Sequence, residues 1–319
     1  MPRRCIEITT NVGCRNLCEY CPQEVNIAAF KVRSRDRQMK LADFKICLEK
    51  VPLDVKVYFA GSAEPFLCPD GLDMVEFACS RGHEVYVYTT LVGLDEAGIG
   101  RLKKMPVFRY VVHLPSAVLK ENFFADEAYV RVLKYLDKTL DPARVEYMAL
   151  QEAAPAAKAA LEKPIRETKR EAMSDFGGNV TLGYIPHRSL SGKIYCNNDR
   201  LYWNVLYPNG DVSLCCEDFG LKHIIGNLLT DQYDDLHRSD EFNRVIRGMS
   251  DDTVSILCRK CEYATQVAPK LEDHVPIVPE TAPVAESFFD PPVPPTLMRK
   301  VKSLIPVPVK ARIKSLLGL

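Results

Sequence analysis

Apolar and polar positions alternate along residues 1–186 in a pattern that predicts repeated βα units. The predicted strands are rich in Val, Ile and Tyr, and several are apolar almost throughout, as strands covered on both faces must be. They span 4–10, 55–61, 84–90, 108–114, 144–150 and 179–185. Helical periodicity lies between them, at 41–50, 70–81, 95–104, 120–138 and 156–173. This alternation predicts an α/β fold, either a barrel or an open doubly wound sheet.

The pattern changes after residue 186. Two short apolar runs, 201–207 and 211–216, are separated by Pro208-Asn209-Gly210, which predicts a β-hairpin. A polar helix is predicted at about 231–248. We therefore predict a large α/β domain at 1–186, a small α+β unit at 187–266 and a proline-rich basic tail at 267–319. The small unit has little apolar core, so a metal is expected to stabilise it.

Composition narrows the class of protein. The 319 residues are 47% hydrophobic and 26% charged, and 42 basic residues balance 42 acidic ones. This balance gives no reason to expect a nucleic-acid partner. No apolar run has the roughly 18 residues of a spanning helix, and no signal peptide is visible, so we expect a cytoplasmic protein.

The tail is basic and partly apolar. Residues 297–319 contain six Lys or Arg and no acid, mixed with Leu, Ile and Val. Such a segment predicts peripheral contact with an anionic membrane surface, for example to reach a lipid-linked glycan. A partner-binding or disordered tail is the alternative.

Three cysteines follow the first predicted strand with the spacing C-x3-C-x2-C. They are Cys14, Cys18 and Cys21, and no His or Cys follows them before Cys47. Clustered cysteines in a reducing compartment are usually metal ligands, and a zinc site would need a fourth ligand nearby. Three thiolates on a 4Fe–4S cluster instead leave one iron without a protein ligand. We therefore predict such a cluster, with zinc as the alternative.

The segment Cys14-Arg15-Asn16-Leu17-Cys18-Glu19-Tyr20-Cys21 resembles the radical SAM superfamily. The resemblance implies a partial (β/α)6 TIM-like barrel whose open iron is chelated by S-adenosyl-L-methionine. Reductive cleavage of this cofactor gives a 5′-deoxyadenosyl radical that removes a hydrogen atom from the substrate. The resemblance also implies that Tyr20 packs beside the adenine, or else merely anchors the loop. A one-electron donor such as flavodoxin or ferredoxin is expected as a partner.

A second motif follows the second predicted strand. The segment Ala60-Gly61-Ser62-Ala63-Glu64-Pro65 resembles the family's Gly-Gly-Glu-Pro segment, which binds the methionine amino group. Gly61 and Glu64 match that pattern, whereas the two residues between them depart from it. Gly61 and Glu64 are therefore predicted cofactor contacts.

Two further residues fit the family layout loosely, and His113 is a separate candidate. Ser116 and Arg131 correspond to the expected contacts of the methionine carboxylate or ribose, and they equally fit a helix cap and a surface salt bridge. His113 is predicted either as a substrate contact in the barrel interior or as an ordinary satisfied polar group.

Four more cysteines form a second set in the small unit: Cys196, Cys215, Cys258 and Cys261. Four thiols suit zinc or an iron–sulfur cluster. The Gly-x4-Cys segment ending at Cys215 and the terminal Cys-x2-Cys resemble the SPASM and twitch extensions of radical SAM enzymes. This resemblance implies one auxiliary 4Fe–4S cluster rather than two, because only about four ligands are available.

Two residues beside this set are candidate catalytic groups. Cys216 is predicted to replace Cys215 as a ligand, to donate a hydrogen atom to a substrate radical, or to be a small buried apolar residue. Asp218 is a candidate base on the substrate.

Three functions remain open. The first is a radical SAM oxidoreductase that dehydrogenates or epimerises a small polar or carbohydrate-like substrate. The second is a maturase for a ribosomally made peptide, and the third is a non-catalytic iron–sulfur carrier. The first predicted strand begins near residue 4, which leaves no room for a leader-binding domain and favours a small molecule or glycan. The basic run 31–40 predicts either a binding site for a phosphate group or a solvent-exposed surface.

Overall fold

Six parallel strands in chain order form the centre of the fold. The computed structural model describes residues 4–168, 174–180, 188–197 and 200–267. The strands are β1 (Cys5–Ile8), β2 (Lys56–Phe59), β3 (Val85–Thr89), β4 (Arg109–His113), β5 (Val145–Leu150) and β6 (Ile165–Thr168). Each pairs in parallel with the next along the chain, from β1 to β6. The predicted α/β partial barrel is confirmed.

Helices connect these strands. They are α1 (Gln23–Lys31), α2 (Leu41–Glu49), α3 (Gly71–Ser80), α4 (Glu96–Leu102), α5 (Glu127–Thr139) and α6 (Pro155–Lys158). Asp95 caps α4 by accepting from the Gly98 N–H at 2.8 Å, and Asp126 caps α5 in the same way. Helix α1 was not among the predicted elements, because two of its three buried residues, Gln23 and Asn26, are polar.

The sixth strand lies earlier in the chain than predicted. The predicted helix over 156–173 is wrong, since α6 ends at Lys158 and β6 occupies Ile165–Thr168. Pro164 precedes that strand and disfavours a helix running through it. Of the predicted strand 179–185, residues 179 and 180 are not in a strand, and the rest lies outside the described residues.

The two faces of the parallel sheet have different chemistry. Alternate residues such as Ile6, Ile8 and Val57 join the apolar core that the helices cover. The residues between them point to the inner face, where Tyr58 stacks on Tyr86 with ring centroids 4.4 Å apart. The helix side is therefore apolar core, and the inner side carries the polar and aromatic groups.

The C-terminal part extends the same sheet. It contains β7 (Tyr195–Cys196), β8 (Trp203–Leu206), β9 (Asp211–Ser213), β10 (Ile224–Asn227), α7 (Tyr233–Leu236), α8 (Asp240–Gly248) and β11 (Ala264–Thr265). Strand β8 pairs in parallel with β1, and β9 and β10 continue the sheet in antiparallel fashion. The sheet order is β10-β9-β8-β1-β2-β3-β4-β5-β6.

The predicted hairpin is confirmed, and the predicted polar helix is divided in two. Residues 237–239 separate α7 from α8, and Ser239 caps α8 by accepting from the Phe242 N–H at 3.2 Å. No helix in the described part of the chain is long and apolar enough to cross a bilayer. The predicted tail lies outside the described residues apart from residue 267.

Candidate cluster and substrate site

Cys14, Cys18 and Cys21 lie on the loop that leaves the carboxyl end of β1. The Cys21 N–H donates to the Cys18 carbonyl at 3.0 Å, and the three thiols are partly exposed. Gly13 and Leu17 have φ values of +97° and +46°, which turn the backbone around the thiols. Burial raises the pKa of Cys18 and of Cys21 to about 12. Three adjacent thiolates at this loop therefore need a positive centre, such as iron, to stabilise them.

Gln23, the first residue of α1, holds this loop in place. Its side-chain oxygen accepts from the Cys14 N–H at 3.1 Å, and its amide group donates to the Cys21 sulfur at 3.3 Å and to the Ser62 carbonyl. One side chain thus joins two of the thiol-bearing residues to the segment after β2. Sequence analysis did not identify Gln23, because a lone glutamine carries no motif signal.

The segment 61–65 packs directly on the end of β1. Gly61 has a φ of +73°, and a Cβ there would collide with the Thr9 hydroxyl. The Ser62 N–H donates to that hydroxyl at 3.3 Å, and Thr10 donates to the Pro65 carbonyl at 3.1 Å. The two predicted cofactor segments are therefore neighbours in space, as their places after β1 and β2 imply.

Glu64 is buried and its carboxylate is used within the protein. One oxygen accepts from the Thr89 hydroxyl at 2.7 Å and the Phe66 N–H at 3.3 Å. The other accepts from the Thr90 N–H at 2.6 Å and the Thr90 hydroxyl at 2.7 Å. Burial raises the pKa of Glu64, and these four donors lower it. Glu64 therefore ties the segment after β2 to the end of β3 and orients the backbone beside the thiols.

Tyr20 reaches from the cysteine loop to the end of β4. Its hydroxyl donates to Glu121 at 3.0 Å, and its ring centroid lies 6.0 Å from that of His113. Burial, with Arg166 as the second cause, lowers the pKa of His113 to about 4. A neutral imidazole thus stands on the inner face next to the cysteine loop.

The Ser116 hydroxyl is used in hydrogen bonds to nearby backbone groups, and Arg131 is exposed to solvent. The Ser116 hydroxyl accepts from the Val118 and Leu119 N–H groups at 3.2 and 3.1 Å and donates to the Glu152 carbonyl at 3.2 Å. Arg131 is exposed on α5, a helix whose buried residues are Leu133 and Leu136. The structure brings neither residue into contact with the cysteine loop among the contacts of the described residues.

The four cysteines of the second set converge. Strands β7 and β11 pair Cys196 with Ala264, and the Cys261 N–H donates to the Cys258 carbonyl at 3.2 Å. Burial raises the pKa of Cys258 to about 12, with the Cys196 thiol as the next cause. Burial and the thiols of Cys216, Cys261 and Cys258 raise the pKa of Cys215 in the same way. The thiols of Cys215, Cys258 and Cys261 are buried and that of Cys196 is half-buried, and Cys196 and Cys215 each interact electrostatically with the Cys258–Cys261 segment.

Within the described residues, no three His, Cys, Asp or Glu side chains are arranged around a single metal ion. The thiolates of a 4Fe–4S cluster bind different irons, so they stand farther apart than the ligands of one ion. Both thiol sets supply the soft sulfur ligands that iron–sulfur clusters use.

Cys216 belongs to a buried charged network beside the second set. The Arg200 guanidinium donates to its sulfur at 2.9 Å and lies over the rings of Trp203 and Tyr263, at 4.6 and 3.9 Å from their centroids. Burial raises the pKa of Cys216, and Arg200 lowers it. Arg200 was not predicted from the sequence, since its contacts come from distant segments.

Asp218 has a structural role. Its two carboxylate oxygens accept from the Lys222 N–H at 2.9 Å and the His223 N–H at 2.7 Å. Its side chain therefore closes the turn that leads into β10. Next to it, His223 accepts from the Leu257 N–H at 2.9 Å and lies 2.6 Å from the Glu241 carboxylate. This arrangement ties the turn to α8 and to the Cys258 segment.

The inner face of the sheet carries polar atoms that lack partners. Alternation along β1, β4, β5 and β6 directs Glu7, His113, Glu146 and Thr168 inward. In the described part of the chain, one buried oxygen or nitrogen of each of these side chains has no hydrogen-bond partner. Burial raises the pKa of Glu7 to about 7, while Arg200 lowers it. Glu7 was missed by sequence analysis, although a Glu within the apolar strand Cys5–Ile8 was a visible signal.

Comparison with known proteins agrees with this arrangement. Residues 196–262 match the family model of SPASM, an iron–sulfur cluster-binding domain. The crystal structure of BtrN in complex with AdoMet and 2-DOIA is similar, with a TM-score of 0.55 and 19% identity over 82% of this chain and 94% of that chain. No curated protein sequence matches the chain significantly.

Two peptide-bound structures are also similar. Streptococcus suis SuiB bound to the precursor peptide SuiA has a TM-score of 0.54 and 12% identity over 82% of this chain and 70% of that chain. The anSMEcpe structure with bound AdoMet and the Kp18Cys peptide has a TM-score of 0.50 and 14% identity over 82% of this chain and 87% of that chain. Residues 196–262 therefore match the model of an iron–sulfur cluster-binding domain, and the chain as a whole has the fold that BtrN and SuiB share.

Proposed function

We propose that this protein is a radical SAM oxidoreductase that acts on a small polar or carbohydrate-like substrate. The observation that carries the proposal is the inner face of the sheet, where Glu7, His113, Glu146 and Thr168 present buried polar atoms without partners. An apolar substrate would leave these atoms unsatisfied, at a cost of roughly 1–3 kcal/mol each. A substrate with several hydroxyl or amino groups satisfies them.

The cysteine loop holds the reactive cofactor. Cys14, Cys18 and Cys21 bind a 4Fe–4S cluster, and S-adenosyl-L-methionine bound to it supplies a 5′-deoxyadenosyl radical when an electron arrives. The role of Glu64 is to position the 61–65 backbone, because its carboxylate already accepts four hydrogen bonds. The carbonyl oxygens of this segment would accept hydrogen bonds from the cofactor's ammonium group, and Gly61 lets the segment pack against Thr9. Tyr20 would pack beside the adenine, whereas the contacts of Ser116 and Arg131 assign neither of them a place at the cofactor.

The second thiol set holds an auxiliary 4Fe–4S cluster through Cys196, Cys215, Cys258 and Cys261. This cluster would supply an electron acceptor for a dehydrogenation. Cys216 stands beside it as a protonated thiol, since burial raises its pKa, and it is the hydrogen-atom donor in the epimerising form of the reaction. Glu7 has an unpartnered oxygen and fits the role of substrate base better than Asp218, whose oxygens are both occupied.

Modification of a ribosomally made peptide is the second candidate. The similarity to SuiB bound to its precursor peptide favours it, since the TM-score of 0.54 is close to the 0.55 of BtrN. The polar inner face favours the small-molecule reaction instead, because a peptide side chain offers fewer groups to those atoms.

The proposal is tested with anaerobically reconstituted protein, dithionite, S-adenosyl-L-methionine and the small-molecule extract of cells grown in deuterated medium. We expect 5′-deoxyadenosine to form and to carry deuterium taken from a substrate of the extract. Cys18→Ala is expected to form none, whereas Cys79→Ala, a buried cysteine of α3, is expected to retain the activity.

Two outcomes would contradict the proposal. If wild-type protein with full iron and sulfide forms no 5′-deoxyadenosine with any extract, radical cleavage is not its function. If deuterium transfer appears only with the peptide fraction, peptide modification replaces the small-molecule reaction.

A further inference from the structure

A group of basic side chains lies on the surface beside the cysteine loop. Arg15, Lys31, Arg35 and Arg37 are all exposed, in a chain whose formal net charge is zero. None of the four forms a salt bridge with any described residue, unlike Arg33, which is bound to Asp211 at 2.6 Å. Their positive charges are therefore directed to solvent rather than neutralised within the protein.

Backbone contacts fix this group next to the thiols. The Val12 N–H donates to the Arg37 carbonyl at 2.8 Å, and the Met39 N–H donates to the Thr10 carbonyl at 2.8 Å. A Cβ on Gly13 would lie 3.6 Å from the Arg37 guanidinium. Arg15 directly follows Cys14. Arg15 and Arg37 are therefore held beside the loop that carries the triad, and Lys31 and Arg35 precede Arg37 on the same exposed segment.

Exposed apolar residues accompany these charges. Leu17, between Cys14 and Cys18, is 65% exposed, and Val32, at the end of α1, is 88% exposed. Val25 is 37% exposed on α1, and its position seven residues before Val32 places both on one side of the helix. Exposed apolar groups beside exposed positive charges are typical of a surface that binds a protein partner.

We propose that this surface, consisting of Arg15, Lys31, Arg35 and Arg37 with Leu17, Val25 and Val32, docks a small acidic one-electron carrier protein. The inference rests on the proposed function, which needs an electron delivered to the triad from outside. A carrier bound here has its redox centre directly over the loop that holds Cys14 and Cys18. Complementary charge speeds such encounters by about 10- to 1,000-fold at low salt, and salt removes the advantage.

The test measures reduction of the reconstituted full-length holoprotein by an acidic flavodoxin hydroquinone under anaerobic stopped-flow conditions. The double charge reversal Arg35→Glu/Arg37→Glu is compared with Lys103→Glu/Lys104→Glu, two exposed lysines at the end of α4, before β4. At low salt we expect the first variant to react about tenfold more slowly or worse, with little remaining dependence on salt. The second variant is expected to react like wild type.

Dithionite serves as the reference, since this small reductant needs no docking surface. Equal bleaching of all variants by dithionite shows that the cluster is intact, and 5′-deoxyadenosine formed with dithionite reports on the proposed function separately. If the charge reversal impairs cluster loading, Arg35→Ala/Arg37→Ala and the salt dependence of the wild-type rate replace it.

Either of two results would overturn the proposal. One is an equal flavodoxin rate, with equal salt dependence, for wild type and both double variants. The other is inhibition of the wild-type reaction by inorganic phosphate beyond that caused by chloride at the same ionic strength. The second result would assign the basic side chains to a phosphate-bearing ligand.

Discussion

The two thiol sets of this protein differ in burial and in the segments that supply them. Cys14, Cys18 and Cys21 lie on one partly exposed loop. The second set comes from three separate parts of the C-terminal region, and three of its members, Cys215, Cys258 and Cys261, are 7–8% exposed. The first set is held by neighbours outside its loop, through Gln23 and the segment fixed by Glu64.

This difference matches the two kinds of metal site known in proteins. A site with fewer protein ligands than positions leaves room for an external molecule and must be reached from solvent or substrate space. A site whose ligands are all protein groups can be part of the core, and its metal then contributes to the free energy of folding. We therefore expect the triad to serve chemistry and the second set to contribute also to folding of the C-terminal region.

Removing one ligand from each set tests this contrast most strongly. Cys258→Ala is expected to lower the thermal midpoint of the holoprotein by about 10 °C or more, because a structural metal site contributes several kcal/mol. Cys14→Ala, the same chemical change in the partly exposed loop, is expected to lower the thermal midpoint by less than a third of that amount. Anaerobic differential scanning fluorimetry measures both, and equal shifts would remove the distinction between the sites.

The dependence of the triad on its neighbours is tested at Glu64. Glu64→Ala leaves four donors without their acceptor, so we expect the free energy of unfolding to fall by about 3 kcal/mol. Urea denaturation measures this loss, and iron bound at the triad is expected to decrease with it. Glu64→Gln, which keeps the shape and part of the acceptor capacity, is the matched control. If Glu64→Ala is as stable as wild type, the hydrogen bonds of Glu64 do not hold the segment beside the cysteine loop.

Glu7 lies on the inner face and is linked to the network beside the second set. Its ionisation is expected to make the stability of the protein depend on pH. Its folded-state pKa is raised from 4.5 to about 7, so its stabilising contribution is fully present below about pH 4.5 and is lost as pH rises through about 7. Glu7→Gln lacks this loss and is expected to be more stable than wild type at pH 8, by at most about 3 kcal/mol. The difference in thermal midpoint between Glu7→Gln and wild type should be larger at pH 8 than at pH 5. A variant that is less stable at pH 8 would identify Glu7 as a structural partner of Arg200.

The smallest effects are expected at Ser116 and Arg131, which lie outside both sets. Ser116→Ala removes a local turn acceptor and should cost about 1 kcal/mol, and Arg131→Ala, on the exposed side of α5, should cost less than about 0.5 kcal/mol. Neither is expected to change the dissociation constant for S-adenosyl-L-methionine by more than twofold in equilibrium dialysis. A tenfold weakening in either variant would show that the residue reaches the cofactor after all.

Local patterns in the sequence were sufficient for the first five parallel strands and for the hairpin of the C-terminal region. In these elements apolar runs and turn residues agree with the final pairing, as in Pro208-Asn209-Gly210. The patterns were insufficient for α1 and β6. Helix α1 buries Gln23 and Asn26 against distant groups, and β6 follows a short segment whose alanines suggested a helix.

Cysteine spacing depends only on the order of residues, and it was sufficient to predict the members of the two thiol sets. Their surroundings depended on contacts between segments far apart in the chain. The hydrogen bonds of Glu64 to Thr89 and Thr90 join β2 to β3, and the contact of Arg200 with Cys216 joins two parts of the C-terminal region. The sequence by itself determined the candidate ligands and the βα order, because both depend on the order of residues along the chain. Only the tertiary structure decided that both oxygens of Glu64 are hydrogen-bonded and that Glu7 faces the interior with an oxygen that has no partner, because these properties arise from packing between distant segments.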